Sequence, residues 1–200
     1  MPDASPSLAL APGVLLVAPP VLDDLHFVRA VVLICAHDEG GSFGLVLTDP
    51  LDATVSVRGG ERSVEVPVRR GGPVGPDTLH VLHRRPDVLD GSDPVTDGIA
   101  WGGTLADIGA HLTAAPGDAS GGDAQTPAER LGDFRFFVGY AGWSAGQLAD
   151  EIDTGGWILH RGRAEHVFST APTALWRTVL REMGEPYSHL AHFPADPRYN

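Results

Sequence analysis

The stretch that decides the fold runs from Val28 to Pro50 and reads VRAVVLICAHDEGGSFGLVLTDP. Its first part, residues 28–37, is rich in β-branched and other apolar residues, which is typical of a buried strand. DEGGS then turns the chain and FGLVL brings it back, until Pro50 ends the second run because proline cannot donate to a strand ladder. Two apolar runs around a glycine turn predict a β-hairpin, and so an antiparallel start to a sheet.

Outward from this hairpin, the chain carries more strand patterns than helix patterns. Further strands are predicted at 13–21, 62–70, 78–83, 98–103, 133–142 and 155–160, the second of them irregular because Pro67 interrupts it. Helices are predicted at 104–112, where Thr104 is the N-cap, at 144–152, and at 171–184, which Gly184 ends. Because strands and helices do not alternate regularly, the pattern favours an α+β domain with a mixed sheet over a doubly wound fold.

Length and composition fit one domain preceded by a short tail. The chain has 200 residues, and MPDASPSLALAP at 1–12 predicts a disordered tail ahead of a single domain at 13–200. A second polar, glycine-rich segment at 115–127 is predicted to be mobile. Cys35 is the only cysteine, so no internal disulfide is possible and the cytoplasm is the expected compartment.

The charge of the chain excludes some partners. The formal net charge is −12, and all 14 basic residues are arginine. A strongly acidic protein repels nucleic acid and anionic membranes unless its arginines cluster, so no direct nucleic-acid binding is expected. No apolar run approaches the ~20 residues that a membrane helix needs, so no membrane association is expected either.

A G-x-S-x-G pattern at Gly142–Gly146 raises the question of catalysis. It matches the nucleophile turn of many serine hydrolases, with Ser144 as the nucleophile, and acids and histidines follow it along the chain. The same serine also begins a Ser-x-x-Gln capping box with Gln147. Because the chain after Ser144 is too short for the rest of a hydrolase fold, the cap is favoured and no catalytic residue is assigned.

Nine histidines and one cysteine invite a search for metal ligands. The chain has no C-x-x-C or H-E-x-x-H motif, and His80 and His83 lie three apart on a strand, so they point to opposite faces. We therefore expect neither a metal site nor a cofactor.

The best candidate for a binding surface is the place where two glycine-rich stretches could meet. Arg69 or Arg70 would supply charge, the amides of Gly71 and Gly72 would supply donors, and Trp143 would supply an apolar wall. Such a pocket favours a small anion or an acidic peptide end. The alternatives are that the stretches never meet, or that Trp143 fills the gap as core. The predicted site consists of Arg69, Arg70, Gly71, Gly72, Pro73, Gly139, Tyr140, Gly142 and Trp143.

Three blocks of the sequence resemble one family of bacterial proteins. The blocks are GVLLVAPPVLDDLHFVRAVVLICAHDEGGSFGLVLTDPL, RGGPVGPDTLHVLH and VGYAGWSAGQLADEIDTGGW, and together they cover much of residues 13–157. In this order they resemble the AlgH (YqgE) family. Two departures are that Thr48-Asp49 stands where the family has an asparagine before the proline, and that the segment Pro50–Gly71 lacks the apolar helical pattern expected there.

The resemblance implies a fold and only a broad function. It implies an α+β domain with a strongly bent, barrel-like mixed β-sheet and flanking helices. It implies no established activity, although the family's name refers to effects on the expression of exopolysaccharide genes. The leading hypothesis is a non-enzymatic cytoplasmic module that is either regulatory or binds a partner, and the expected partner is a protein or a small anionic ligand. A hydrolase that uses Ser144 and a direct DNA-binding transcriptional regulator are the alternatives, and the sequence does not predict the oligomeric state.

Overall fold

The computed structural model describes residues 8–20, 24–86, 89–114 and 125–193. Residues 1–7 of the predicted tail and residues 115–124 of the predicted mobile segment lie outside these ranges. Within the described part of the tail, Leu10 packs against a cluster of buried side chains.

The described chain folds around one large sheet. Its strands are β1 Val14–Val17, β2 Val31–Asp38, β3 Gly41–Val46, β4 Pro50–Gly59, β5 Arg62–Arg70, β6 Val74–His83, β7 Ser92–Thr96, β8 Ile99–Gly102, β9 Phe134–Ser144 and β10 Ile158–Arg161. The main order is β10-β1-β2-β3-β9-β6-β8-β7. The hairpin β4–β5 joins it through a parallel pairing of β5 with β9, while all the other pairs are antiparallel. The predicted mixed sheet is therefore confirmed.

The sheet curls into a half-barrel. Phe43 on β3 and Trp101 on β8 have ring centroids 4.6 Å apart, although β9 and β6 lie between their strands. In a flat sheet, three strand spacings of about 4.8 Å would hold them far out of contact. The strong bend that the family resemblance implied is therefore present.

Five helices flank the sheet in the described chain: α1 Leu105–Thr113, α2 Pro127–Gly132, α3 Gln147–Asp153, α4 Ala164–Val167 and α5 Pro172–Glu182, followed by a 3₁₀ turn at Tyr187–His192. The Thr104 hydroxyl accepts from the Asp107 amide, as the predicted N-cap requires. On α5, the apolar residues buried against the sheet are Leu175, Trp176, Val179 and Leu180. None of the described helices has the length and apolar character needed to cross a membrane. The fold is α+β, as predicted.

Several local expectations were wrong. Strand β3 ends at Val46, and Pro50 begins β4 instead of ending the strand before it. Strand β5 continues through Pro67. Among the described residues, β9 pairs with β5 only from Val68 onward, so proline at position 67 costs no hydrogen bond with β9. The segment from Pro50 to Gly71 is a long two-stranded hairpin, which explains why it carries no helical pattern.

Candidate functional site

The structure gives Ser144 a local partner. Ser144 is the last residue of β9 and is exposed. Its backbone N–H and its hydroxyl both donate to Oε1 of Gln147, at 3.0 and 3.1 Å. The return bond of the predicted capping box is therefore formed, but the hydroxyl does not accept from Gln147, and Gly146 is the N-cap of α3. No histidine hydrogen-bonds to this hydroxyl among the described residues, so no base is in place to activate it.

The two glycine-rich stretches of the predicted site do meet, and they meet backbone to backbone. The amide of Gly71 donates to the carbonyl of Val138 at 2.8 Å. A Cβ built on Gly72, whose φ is +154°, would lie 2.2 Å from the carbonyl carbon of Tyr140. The two backbone segments are therefore so close that no ligand fits between them. The Gly71 amide is also not free to bind an anion, because it already donates to Val138.

Trp143 lies in the core next to this junction. It is 7% exposed and packs with Phe27 and Trp157. Its indole N–H and that of Trp157 both donate to Oε2 of Glu151, at 2.9 and 2.8 Å. The alternative in which Trp143 acts as core thus describes its surroundings, because the indole is almost fully buried and packs with aromatic rings.

The two neighbouring arginines of the predicted site point into different surroundings. Arg70 is exposed and its guanidinium lies 3.6 Å from the carboxylate of Asp49. Arg69 is 9% exposed and lines a cleft of about 370 Å³, while Arg70, Pro73 and the GYAGW stretch do not. The structure therefore separates the predicted site into a packed glycine junction and an arginine-lined cleft. A distinct surface depression of about 500 Å³ is lined by Tyr140, Gly142 and Trp143 together with the β2–β3 turn.

The cleft, called the arginine cleft below, combines two guanidinium groups with apolar walls. The cationic residues are Arg69 on β5 and Arg135 on β9, and no described residue that lines the cleft is acidic. Ser169 and Thr170, on the loop between α4 and α5, add hydroxyl groups. The apolar walls are formed by Pro50, Leu51, Pro67, Val68, Leu131, Phe134, Phe136 and Pro172.

Both guanidinium groups are held in place by backbone carbonyls. Arg69 donates to the carbonyls of Leu47 at 2.9 Å and Ser169 at 3.0 Å. Arg135 donates to the carbonyls of Gly132, Phe134 and Phe168 at 3.2, 2.7 and 2.8 Å. An arginine has five N–H donors, so these bonds leave Arg69 with three donors and Arg135 with two that have no partner among the described residues.

The positive charges in and near the cleft repel one another, and burial and this repulsion lower the pKa values of its arginines. Burial lowers the pKa of Arg69 to about 10, and the charge of Arg135 adds to the effect. Burial and the charge of Arg84 lower the pKa of Arg135, and Asp133 partly offsets this. The guanidinium groups of Arg84 and Arg135 lie 4.1 and 5.2 Å from the ring centroid of Phe168. Three arginines thus share one small region of an acidic protein, where an anion would relieve their repulsion.

A second cluster of titratable groups, which the sequence did not predict, lies beside α5. One ring nitrogen of His160, one of His166 and a carboxylate oxygen of Glu182 all lie within 4.8 Å of one another. Nε2 of His160 is buried without a hydrogen-bond partner in the described structure. Burial is the main cause of the lowered pKa of His160.

The hydrogen bonds of this cluster do not suit a metal ion. Nδ1 of His166 accepts from the Arg163 amide at 3.1 Å, so the proton of the neutral ring sits on Nε2 and is donated to Glu182 at 3.0 Å. A protonated Nε2 has no lone pair to offer a metal. Arg163 also donates to the same carboxylate at 2.5 Å and places a further positive charge there. The cluster is better explained as a network that ties α4 to the end of α5.

Comparisons with known proteins agree on one family. A model of the AlgH-like family matches residues 15–188. UPF0301 proteins of Chlorobaculum tepidum and Cytophaga hutchinsonii are 38% and 34% identical to this chain, over 96% of it and 96% and 100% of their own lengths. A crystal structure of a Corynebacterium diphtheriae protein aligns with a TM-score of 0.70 at 23% identity, covering 96% of both chains. The solution structure of the AlgH protein from Pseudomonas aeruginosa aligns at 0.66 and 22%, covering 97% and 98%.

Proposed function

This chain belongs to the AlgH-like family, and we propose that it is a non-enzymatic regulatory module that binds a small organic anion in the arginine cleft. One observation carries the proposal. Arg69 and Arg135 line the cleft and keep N–H donors without partners among the described residues, and no acidic residue lines the cleft in the described structure. Partly buried arginines usually pair with a carboxylate or a phosphate, so an anion from outside would complete the arrangement.

The walls and the volume of the cleft support an anion that has an apolar body. Leucine, phenylalanine and proline side chains stand beside the two guanidinium groups. A volume of about 370 Å³ lies at the lower end of the range for ligand pockets, roughly 300–1,000 Å³. A compact aromatic or branched carboxylate therefore matches the cleft better than a large polyphosphate does.

A regulatory role is supported by the elements that the cleft connects. Arg69 bridges the end of β3, through Leu47, to the loop before α5, through Ser169. An anion at Arg69 would either replace or strengthen the hydrogen bonds from Arg69 to the carbonyls of Leu47 and Ser169. Anion binding would therefore change the stability of the attachment of α5 to the sheet. A cytoplasmic location belongs to the same proposal.

The two alternative functions have less support. A hydrolase would need a base at Ser144, but its hydroxyl is engaged with Gln147. A direct DNA-binding regulator would need many exposed cations on a helix or strand that fits a groove, and the net charge of −12 opposes this.

The experiment is calorimetric titration with benzoate and hexanoate, with inorganic phosphate as a comparison. Arg135→Gln should weaken benzoate binding by about tenfold or more, because a charge-assisted hydrogen bond contributes about 1.5–3 kcal/mol. Arg70→Gln is the matched control: it removes an exposed arginine next in sequence to Arg69 and should leave the affinity unchanged. If none of the three anions binds the native protein, the proposal is refuted. It is also refuted if both variants lose the same benzoate affinity.

A further inference from the structure

We propose that the arginine cleft continues into a second groove around Arg29, and that the two together hold an acidic peptide segment whose apolar side chain lies against Leu25 and Val28. This inference rests on the proposed function, because the arginine cleft is one half of the site. It proposes a second kind of ligand besides the small anion, namely an acidic peptide segment of a partner protein.

The second groove, called the Arg29 groove below, borders the arginine cleft on two sides. Its volume is about 320 Å³. Asp49 and Thr173 line the groove, while their chain neighbours Pro50 and Pro172 line the cleft. The boundary between the two depressions is therefore formed by the β3–β4 connection and the first turn of α5, and a single extended segment could lie across both.

The Arg29 groove lies in a region of exposed apolar side chains. Among the described residues, five large apolar side chains are exposed, and three of them belong to this region: Leu25 at 90%, Val28 at 50% and Phe193 at 40%. The guanidinium of Arg29 donates to the backbone carbonyl of Phe193, so the third residue lies next to the groove. A concentration of exposed apolar groups beside polar ones is typical of a surface that binds a partner.

The groove and the arginine cleft together carry more positive than negative side chains: Arg29, Arg69 and Arg135 line them, and Asp49 is the acidic residue among their described lining residues. The guanidinium of Arg29 lies 4.9 Å from the ring centroid of Trp176. Burial lowers its pKa, and so does the positive charge of Arg177 nearby. Asp49 is the acidic residue that lines the groove, and it lies 3.6 Å from Arg70. Together with the arginine cleft, this side of an acidic protein gathers cations, which is the charge complement of an acidic segment.

The backbone at Arg29 is also unusual. Its φ is +54°, and Arg29 is the only non-glycine residue with a positive φ among those the structure describes. This conformation is unfavourable for a residue with a Cβ and is more frequent at binding and active sites than elsewhere. The strained backbone therefore holds a guanidinium at the groove.

An acidic peptide fits this surface better than a nucleic acid does. The apolar side chains of Leu25 and Val28 have no role against a phosphate backbone, whereas they suit a leucine or phenylalanine of a peptide. The overall charge of −12 repels a long polyanion but has less effect on a short segment with few charges.

The test measures fluorescence anisotropy of a short labelled peptide that alternates glutamate and leucine. The double variant Leu25→Ser/Arg177→Gln should weaken peptide binding by about tenfold. Both side chains are exposed, so the fold should be kept. The matched control is Arg58→Gln, which removes an exposed arginine on β4 and should leave the affinity unchanged. Benzoate binding should be the same in both variants.

The outcomes separate the two proposals. Benzoate binding without peptide binding, or equal peptide affinity in all variants, would overturn this inference and leave the proposed function standing. If the native protein binds neither benzoate nor the peptide, both proposals are refuted. Equal binding of a lysine–leucine peptide or of a single-stranded oligonucleotide would also overturn the inference, because the surface would then not select an acidic peptide.

Discussion

At the scale of single residues, adjacent arginines have different tasks because strand residues alternate between faces. Arg69 turns into the cleft and is almost fully buried, while its neighbour Arg70 points to solvent beside Asp49. The sequence predicts that Arg69 or Arg70 supplies charge to a binding surface, and that stays a prediction. It could not predict which one, because that depends on the register of β5 against β9, where Arg69 pairs with Phe137.

Anion binding should depend on pH through Arg69. The pKa of this residue is lowered to about 10, mainly by burial, so the guanidinium is charged below pH 9 and loses its proton as the pH rises through about 10. Because the cation attracts the ligand, benzoate affinity should be constant between pH 6 and 8.5 and should fall above about pH 10. Calorimetric titration at these pH values checks this. A loss of affinity between pH 6 and 8 would instead indicate a histidine.

Ser144 and Gln147 should contribute unequally to stability. Ser144→Ala keeps the backbone N–H that donates to Gln147 and loses only an exposed hydroxyl bond, so we expect a cost of about 0.5 kcal/mol in the free energy of unfolding. Gln147→Ala removes the acceptor of both bonds and should cost about 1 kcal/mol. Urea denaturation measures both. A fluorophosphonate probe that labels Ser144 in the folded protein would falsify the structural role.

At the scale of elements, most strands, the longer helices and the hairpin pairing of β2 with β3 could be predicted, but strand β4 and the other pairings could not. The hairpin of β2 and β3, the long strand β9 and helix α5 each carry a local pattern that decides their type. The parallel pairing of β5 with β9 has no local signal, because it joins segments more than 60 residues apart. Strand β7 and the short helices α2 and α4 also lack a periodic run long enough to detect.

The glycine junction shows how an element contact can look like a ligand site in the sequence. Glycines at Gly71 and Gly72 were expected to admit a ligand, since they let another group approach closely. The structure shows that the approaching group is the β9 backbone at Gly139 and Tyr140. A glycine without a side chain admits either a ligand or a neighbouring backbone, so the sequence alone could not distinguish a ligand site from a packed junction.

Adding a methyl group at this junction should be costly. Gly72→Ala would place a Cβ 2.2 Å from the carbonyl carbon of Tyr140, so β9 or the loop must shift, and we expect a loss of about 3 kcal/mol in unfolding free energy. Gly60→Ala is the control. Gly60 also has a positive φ, of +64°, but nothing lies within 4 Å of its Cβ position, so the cost should be about 1 kcal/mol. Equal melting temperatures for the two variants would contradict the packed junction.

At the scale of the whole molecule, charge distribution matters more than net charge. The chain carries a formal net charge of −12. Yet Arg69 and Arg135 line one cleft, with Arg84 close enough to lower the pKa of Arg135, and Arg29 lines the groove beside it, with Arg177 close enough to lower the pKa of Arg29. From the composition we expected no nucleic-acid partner, and that stays a prediction. Composition could not indicate this concentration of arginines, because the strands and loops that bring them together are far apart along the chain.

The central claim is that the arginine cleft is an anion site, and locating a bound anion tests it most directly. Crystals soaked in 4-bromobenzoate give an anomalous bromine signal that marks the ligand without bias. We predict one strong peak between Leu51 and Leu131, with the carboxylate within hydrogen-bonding distance of the Arg69 and Arg135 guanidinium groups. No peak in the cleft at a concentration that saturates binding in solution, or a peak only elsewhere, would contradict the account.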